Sequence, residues 1–135
     1  MANAGELLDK WVSTFNESKW DEAEQLWAAN GVGEEIGMGR SFNPREGTQN
    51  AKDWRAAFQD AHGALQNRVV SGNQAVGEIL WTGTNTGSLN GMPPTNKRVQ
   101  VQAVVVLTEE GGKIARARHY IDVAGLLTQL GVMSG

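Results

Sequence analysis

The chain has no cysteine, which excludes disulfide bonds, thiolate nucleophiles and zinc–cysteine sites and is compatible with a reducing compartment. It has no excess of basic residues either: 12 Lys and Arg against 15 Asp and Glu give a net charge of −3, without a basic cluster. A nucleic-acid partner is therefore not expected, because no stripe of positive charge could neutralise phosphates. No run approaches the ~20 apolar residues of a membrane span, and residues 1–10 do not form a signal peptide. We expect a cytoplasmic protein with no membrane partner.

What the chain does contain is tryptophan. Five Trp in 135 residues is a high number, and aromatic bulk of this kind fills cores, lines apolar pockets or covers subunit interfaces. The length predicts a single domain over residues 1–135 with one core.

Helical spacing dominates the first 65 residues. The first apolar stripe consists of Leu7, Leu8, Trp11, Val12 and Phe15. Ser18 is predicted to cap a second helix that includes Trp27 and ends at Asn30 and Gly31. A third helix is predicted to begin at Asn50 after a loop over residues 41–49.

A period of two, typical of strands, begins after Gly63. Gly72 and Asn73 are predicted to form a tight hairpin turn. The segments that we expect to be extended are 31–40, 69–70, 74–82, 99–107 and 113–121, followed by a closing helix over 123–130. Helices first and an antiparallel sheet afterwards predict an α+β fold.

The last predicted strand ends in Arg118-His119-Tyr120-Ile121-Asp122. Alternation puts His119 on the apolar inner face and Tyr120 on the outer face. Asp122 falls between strand and helix, where a carboxylate caps the helix N-terminus. His119 is either a hydrogen-bonded core residue or a general acid/base, since an imidazole titrates near neutral pH.

Four segments carry a family resemblance: residues 83–87, 91–97, 112–114 and 122–131. They resemble the SnoaL-like polyketide cyclases of the nuclear-transport-factor-2-like (NTF2-like) superfamily, which also includes ketosteroid isomerases and limonene epoxide hydrolases. The resemblance is strong over residues 83–131 and loose before them. It implies a conical barrel with three N-terminal helices in a curved antiparallel sheet, and a cavity for a small apolar ligand or substrate that needs no cofactor. The mixed outer sheet face predicts a homodimer.

The chain departs from the family pattern at the site. The last strand of the family usually carries an Asp as the acid/base, where this sequence has His119. The polar pair on the neighbouring strand corresponds to Ala103 and Val105. Residues 77–80 lack the Arg and Asp that the epoxide hydrolases need.

The other candidate residues depend on strand parity. Either Glu78 faces the cavity with Leu80, or Trp81 faces it with Ile79. Trp54 could lie at the cavity mouth, whereas the other helical Trp residues are expected in the core. Tyr120 could donate to an enolate only if its strand is bulged. Glu34 and Glu35 are interpreted as surface charges, and no metal site is expected from two His and no Cys.

Three functional hypotheses follow. The first is a cyclase-like enzyme in which His119 removes a proton and the resulting enolate attacks a second carbonyl. The second is an isomerase or hydrolase in the same cavity, with Glu78 or Asp122 involved. The third is a binding protein without chemistry, which the apolar Ala103 and Val105 favour. Ligand-contacting residues are predicted to be Trp81, Ala103, Val105, Trp54, Glu78 and Tyr120, with His119 and Asp122 as the catalytic candidates.

Overall fold

Four α-helices and a curved six-stranded sheet make up the part of the chain that the computed structural model describes, residues 1–133. The helices are α1 (Ala4–Asn16), α2 (Trp20–Gln25), α3 (Pro44–Ala57) and α4 (Val123–Leu130). The strands are β1 (Trp27–Glu35), β2 (Arg40–Phe42), β3 (His62–Ser71), β4 (Gln74–Thr84), β5 (Arg98–Glu110) and β6 (Lys113–Ile121). The α+β architecture is thus confirmed.

The sheet has the strand order β2-β1-β6-β5-β4-β3. The pairing of β1 with β6 is parallel, and the other four pairings are antiparallel. The prediction of a purely antiparallel sheet was therefore wrong for one of the five strand pairings. That pairing joins strands from opposite ends of the chain, and periodicity does not specify the direction of so distant a partner.

The third helix begins seven residues earlier than predicted, counting from Asn50 back to Asn43. The side chain of Asn43 accepts a hydrogen bond from the Glu46 N–H (2.8 Å), and the Glu46 carboxylate accepts one from the Asn43 N–H (2.9 Å). Pro44 occupies the first helical position, where its missing N–H and fixed φ are tolerated. The predicted loop over residues 41–49 is consequently a short strand followed by a capped helix.

The second helix is shorter than predicted. It ends at Gln25, and Trp27 already begins β1, where its backbone lies opposite Ile114 of β6. Ser18 does not cap it: Ser18 has φ +55°, and the N-cap Lys19 makes no side-chain capping bond. Pairing with β6 thus overrides the helical spacing of the aromatic residues.

Several boundaries agree with the sequence pattern. β6 and α4 span the predicted residues, and the β3–β4 turn lies at Gly72 and Asn73, with Gly72 at φ +56°. The concave face is built from alternate residues of β4 and β5 that are almost fully buried against α1, among them Ile79, Val101, Val105 and Leu107. None of the described helices is long and apolar enough to cross a membrane.

Gly63 of β3 makes room for the largest side chain of this face. It lies opposite Trp81 of β4, and a Cβ atom at Gly63 would come 2.5 Å from the Trp81 ring. A larger residue at this position would displace the indole.

The predicted homodimer can be tested through the convex face. Val104 lies opposite Tyr120, whose side chain is exposed. We expect Val104→Glu to convert a dimer to a monomer in sedimentation velocity, because a charge would be buried without a partner. Val132→Glu, at an exposed valine beyond α4, is the control and should remain dimeric. A wild-type chain that sediments as a monomer at all concentrations would contradict the prediction.

Asp60 links the turn after α3 to the end of β4. Its carboxylate accepts hydrogen bonds from the Thr84 N–H (2.7 Å) and the Thr84 hydroxyl (3.0 Å). The backbone hydrogen bond from Thr84 is the main cause that holds the pKa of Asp60 below its ordinary 3.8.

A carboxyl group with a lowered folded-state pKa stabilises the fold above its unfolded pKa, and this contribution is lost as the pH falls through the folded pKa. We therefore expect the wild-type protein to have a higher free energy of unfolding at pH 6 than Asp60→Asn. The difference between these two free energies, measured by urea titration, should become smaller as the pH falls below about 3.8. A gap that stays constant from pH 6 to pH 2 would show that the charge does not contribute.

Candidate active site

A cavity of about 600 Å³ lies between the helices and the concave face of the sheet. All five tryptophans line it: Trp11, Trp20, Trp27, Trp54 and Trp81. The helical Trp residues other than Trp54 were expected in the core, and Trp11, Trp20 and Trp27 do pack against it. They are only partly buried, however, and their rings also border the cavity.

His119 lies in the wall of this cavity and is 8% exposed. Its Nε2 is 3.2 Å from the indole Nε1 of Trp81, and its Nδ1 is 3.0 and 3.1 Å from the two carboxylate oxygens of Glu35. An indole N–H can only donate, so Nε2 accepts. The hydrogen of the neutral ring then sits on Nδ1 and is donated to Glu35.

The strand register brings these three groups together. Glu35 lies opposite His119 in the parallel β1–β6 pairing, and Trp81 reaches His119 across the concave face from β4. Trp11 of α1 closes the arrangement, with its ring centroid 5.4 Å from that of His119 and 6.2 Å from that of Trp81, both edge-on. The imidazole is thus held on three sides.

Glu35 is the candidate site residue that sequence reasoning missed. Its interpretation as a surface charge was wrong, because its carboxylate meets His119 in the cavity wall. The neighbouring Glu34 forms an ion pair with Arg116 and also borders the cavity. Gly31 and Gly33, four and two residues before Glu35, are buried on the inner face of β1. No signal of this parity was available in the sequence, because the apolar residue between them, Val32, is the one that is exposed.

The predicted ligand contacts divide into two groups. Trp81 and Trp54 line the cavity, and Ile79 and Trp81 face inward, which resolves the parity of β4. Glu78 faces outward, where its carboxylate accepts a hydrogen bond from Asn67 (3.1 Å), and Tyr120 is exposed on the same convex face.

The apolar pair of β5 also stays outside the cavity lining. Ala103 and Val105 are buried on the inner face, and Val105 lies opposite His119. The cavity lies nearer β1 and the helices, so contact of Ala103 and Val105 with a cavity ligand is not supported. The same holds for Glu78 and Tyr120.

Asp122 caps α4. Its Oδ1 accepts a hydrogen bond from the Gly125 N–H (2.9 Å), and the residue is exposed and absent from the cavity lining. The capping role is confirmed, and the structure does not bring Asp122 to His119. In residues 1–133, no three His, Asp or Glu side chains are grouped as metal ligands.

Comparison with known proteins agrees with this geometry. The family model of the SnoaL-like polyketide cyclases matches residues 5–130. No curated protein matches the sequence.

Solved structures of similar fold come from several bacteria. A protein of Jannaschia sp. CCS1 described as a SnoaL-like polyketide cyclase shares 16% identity and a TM-score of 0.86, over 96% of this chain and 92% of the other. IdmH of Streptomyces antibioticus, described as a polyketide cyclase, shares 20% identity and a TM-score of 0.84, over 96% and 99%. A ketosteroid-isomerase-like protein of Catenulispora acidiphila, solved with trimethylamine, shares 16% identity and a TM-score of 0.82, over 95% and 94%. Likenesses this remote show the fold alone, but the family match spans nearly the whole sequence, and the chain belongs to the SnoaL-like polyketide cyclase family.

Proposed function

We propose that this protein is a cofactor-independent enzyme that moves protons on a small apolar carbonyl compound held in the tryptophan-lined cavity. One observation carries the proposal. A half-buried carboxylate, Glu35, lies in an apolar cavity and is oriented by a buried imidazole, His119. A positioned carboxylate of this kind is a typical general base.

Glu35 is a better candidate for the base than His119. The Nε2 lone pair of His119 already faces the indole N–H of Trp81, and protonation would set two N–H donors against each other. The Glu35 carboxylate has further lone pairs, and its side chain is 23% exposed against 10% for His119. We therefore assign proton removal to Glu35 and the positioning of its carboxylate to His119.

The reaction balances with these groups. Glu35 takes a proton from the carbon next to a carbonyl, and the electrons of that C–H bond move to the carbonyl oxygen to form an enolate. The enolate carbon attacks a second carbonyl carbon of the same substrate, which closes a ring and leaves an alkoxide. The alkoxide recovers the proton from Glu35. Return of the proton to a different carbon of the enolate would give isomerisation instead.

The cavity also contains donors for the enolate oxygen. Among residues 1–133, the indole N–H groups of Trp11, Trp20, Trp27 and Trp54 have no protein acceptor, whereas the N–H of Trp81 is used by His119. Arg40 and Asn50 are further cavity-lining donors. Donors aimed at developing negative charge in an apolar site stabilise it strongly. Tyr120 cannot serve, since it lies on the convex face.

Replacement of the base tests this proposal directly. Glu35→Gln keeps the size and polarity of the side chain but cannot take up the proton, so we expect hydrogen–deuterium exchange at the carbon next to the carbonyl to slow at least ~100-fold. Exchange is followed by NMR with a panel of methyl ketones and 1,3-diketones in D₂O. His119→Ala should reduce the same rate because it leaves Glu35 without its orienting partner.

Glu78→Gln is the matched control, since Glu78 lies on the convex face. It should exchange at the wild-type rate. Loss of exchange in Glu78→Gln with full activity in Glu35→Gln would reject the assignment of the base. Equal rates in all variants would reject catalysis by this site.

A second candidate is a binding protein for an organic ammonium ion. Five Trp residues line the same cavity as the Glu35 carboxylate, which has no Lys or Arg partner within residues 1–133. Aromatic cages bind such cations through the negative ring faces. The Catenulispora relative, solved with trimethylamine, points the same way.

Calorimetric titration with choline and its neutral isostere 3,3-dimethyl-1-butanol separates the two candidates. An enzyme for neutral carbonyl compounds should bind the alcohol at least as tightly as choline. A binding protein for cations should prefer choline at least ~10-fold, as a desolvated cation–π contact is worth up to ~2 kcal/mol. In the second case, the preference should shrink in Glu35→Gln.

A further inference from the structure

The connection between β4 and β5, residues 85–97 (the strap), reaches the cavity. Four of its residues, Ser88, Leu89, Asn90 and Met92, line the cavity. Connections of this length are uncommon in compact domains and usually have a functional role. Whether the strap is a mobile lid or a fixed rim depends on how it is anchored.

A buried side-chain amide joins the two ends of the strap, in addition to the backbone hydrogen bonds of Asn85 with Asn96 and Lys97. Asn85 is 1% exposed. Its Nδ2 donates to the carbonyls of Ala57 (3.2 Å) and Gly87 (2.9 Å), and its Oδ1 accepts from the N–H (2.8 Å) and hydroxyl (3.0 Å) of Thr95. All four hydrogen-bonding positions of the amide are therefore used, and they join the two limbs of the strap.

The first limb is also fixed to the end of α3. The N–H groups of Thr86 and Gly87 both donate to the Ala57 carbonyl, each at 3.1 Å. This carbonyl belongs to the last turn of the helix and has no partner within it. A Cβ atom at Gly87 would lie 2.0 Å from the Ala56 carbonyl oxygen, so the close approach requires glycine.

The tip of the strap is a tight turn. Leu89 N–H donates to Met92 O (3.1 Å) and Met92 N–H donates to Leu89 O (2.8 Å), while Asn90 and Gly91 have φ of +48° and +82°. Two consecutive positive φ values are characteristic of a type I′ turn, the preferred two-residue hairpin connection. Leu89 is partly buried and packs against the core. Its side chain is therefore presented to the cavity from a rigid turn.

We infer that the strap is a fixed rim that limits the size of the bound ligand, and that Leu89 is the specificity-determining residue at this limit. The inference rests on the proposed function only in that the cavity takes an apolar ligand; it does not depend on the identity of the base. Three features oppose movement of the strap away from the cavity. They are the hydrogen bonds of Asn85, the close contact of Gly87 with α3 and the preformed turn at Asn90 and Gly91. A ligand too long for the cavity meets the Leu89 side chain.

A series of 2-alkanones from 2-butanone to 2-decanone measures the limit. Each methylene that enters the cavity should tighten binding about fourfold, until the chain reaches the rim. Beyond that chain length, which we call the break, the affinity should level off. In Leu89→Ala, we expect the break to move to ketones longer by about two methylenes, with the longest ketone bound at least ~10-fold more tightly than by wild type. Dissociation constants come from isothermal titration calorimetry.

Leu80→Ala is the matched control, because Leu80 is a partly buried leucine of the outward-facing set of β4 and does not line the cavity. It should show the wild-type break. An unchanged break in folded Leu89→Ala, or no binding by either protein, overturns the inference. Should Leu89→Ala not fold, Leu89→Val makes the same test with a smaller expected shift.

Amide hydrogen exchange tests the rigidity independently. In a fixed rim, the N–H groups of Leu89 and Met92 exchange slowly, whereas rapid exchange of both would indicate a mobile lid and contradict the inference. The two proposals fail separately. In Glu35→Gln, the affinity should level off at the same ketone length as in wild type. If this variant also exchanges the carbon-bound hydrogen at the wild-type rate, Glu35 is not the base, but the inference about the rim still stands.

Discussion

The imidazole of His119 connects three strands that are distant in sequence, and the arrangement of the site depends on it. Its two nitrogens bind Trp81 of β4 and Glu35 of β1, while the residue itself belongs to β6. A buried imidazole needs partners for both nitrogens, since an unpaired polar group away from water costs about 1–3 kcal/mol. Because the indole can only donate, the remaining hydrogen points to Glu35. In the proposed reaction, the base is for this reason the Glu35 carboxylate and not the imidazole.

The tryptophans explain why the fold leaves a cavity where it could have had a solid core. Close packing is found where α1 meets the inner residues of β4 and β5. Towards β1, the Trp rings of α1, α2 and α3 line the space between the helices and the sheet. Arg55 of α3 joins the end of α1 to the segment before β3 by donating to the carbonyls of Phe15 (2.9 Å) and Ala61 (2.7 Å), and burial lowers the pKa of its guanidinium. The close-packed core and the cavity are thus in different regions of one sheet face.

The family scaffold carries several chemistries, so the residues of this chain must decide among them. The apolar Ala103 and Val105, in place of the polar pair that the resemblance implies, lie outside the cavity lining. Their apolar character is therefore no argument against catalysis, because the acidic and imidazole groups of this cavity come from β1 and β6. The same carboxylate that suits proton transfer also suits a cation, and the two readings of the cavity differ mainly in the charge of the ligand.

Local sequence determined much of this protein. Alternation and turn residues predicted β6, the hairpin at Gly72 and the cap at Asp122, because each depends on neighbours only a few residues away. The cap of α3 at Asn43 was encoded just as locally and was missed because residues 41–49 were interpreted as a loop. The parallel pairing of β1 with β6, and with it the meeting of Glu35 and His119, was decided only by the tertiary structure. A contact between residues 84 positions apart depends on strand direction and register, and neither leaves a periodic trace in the sequence.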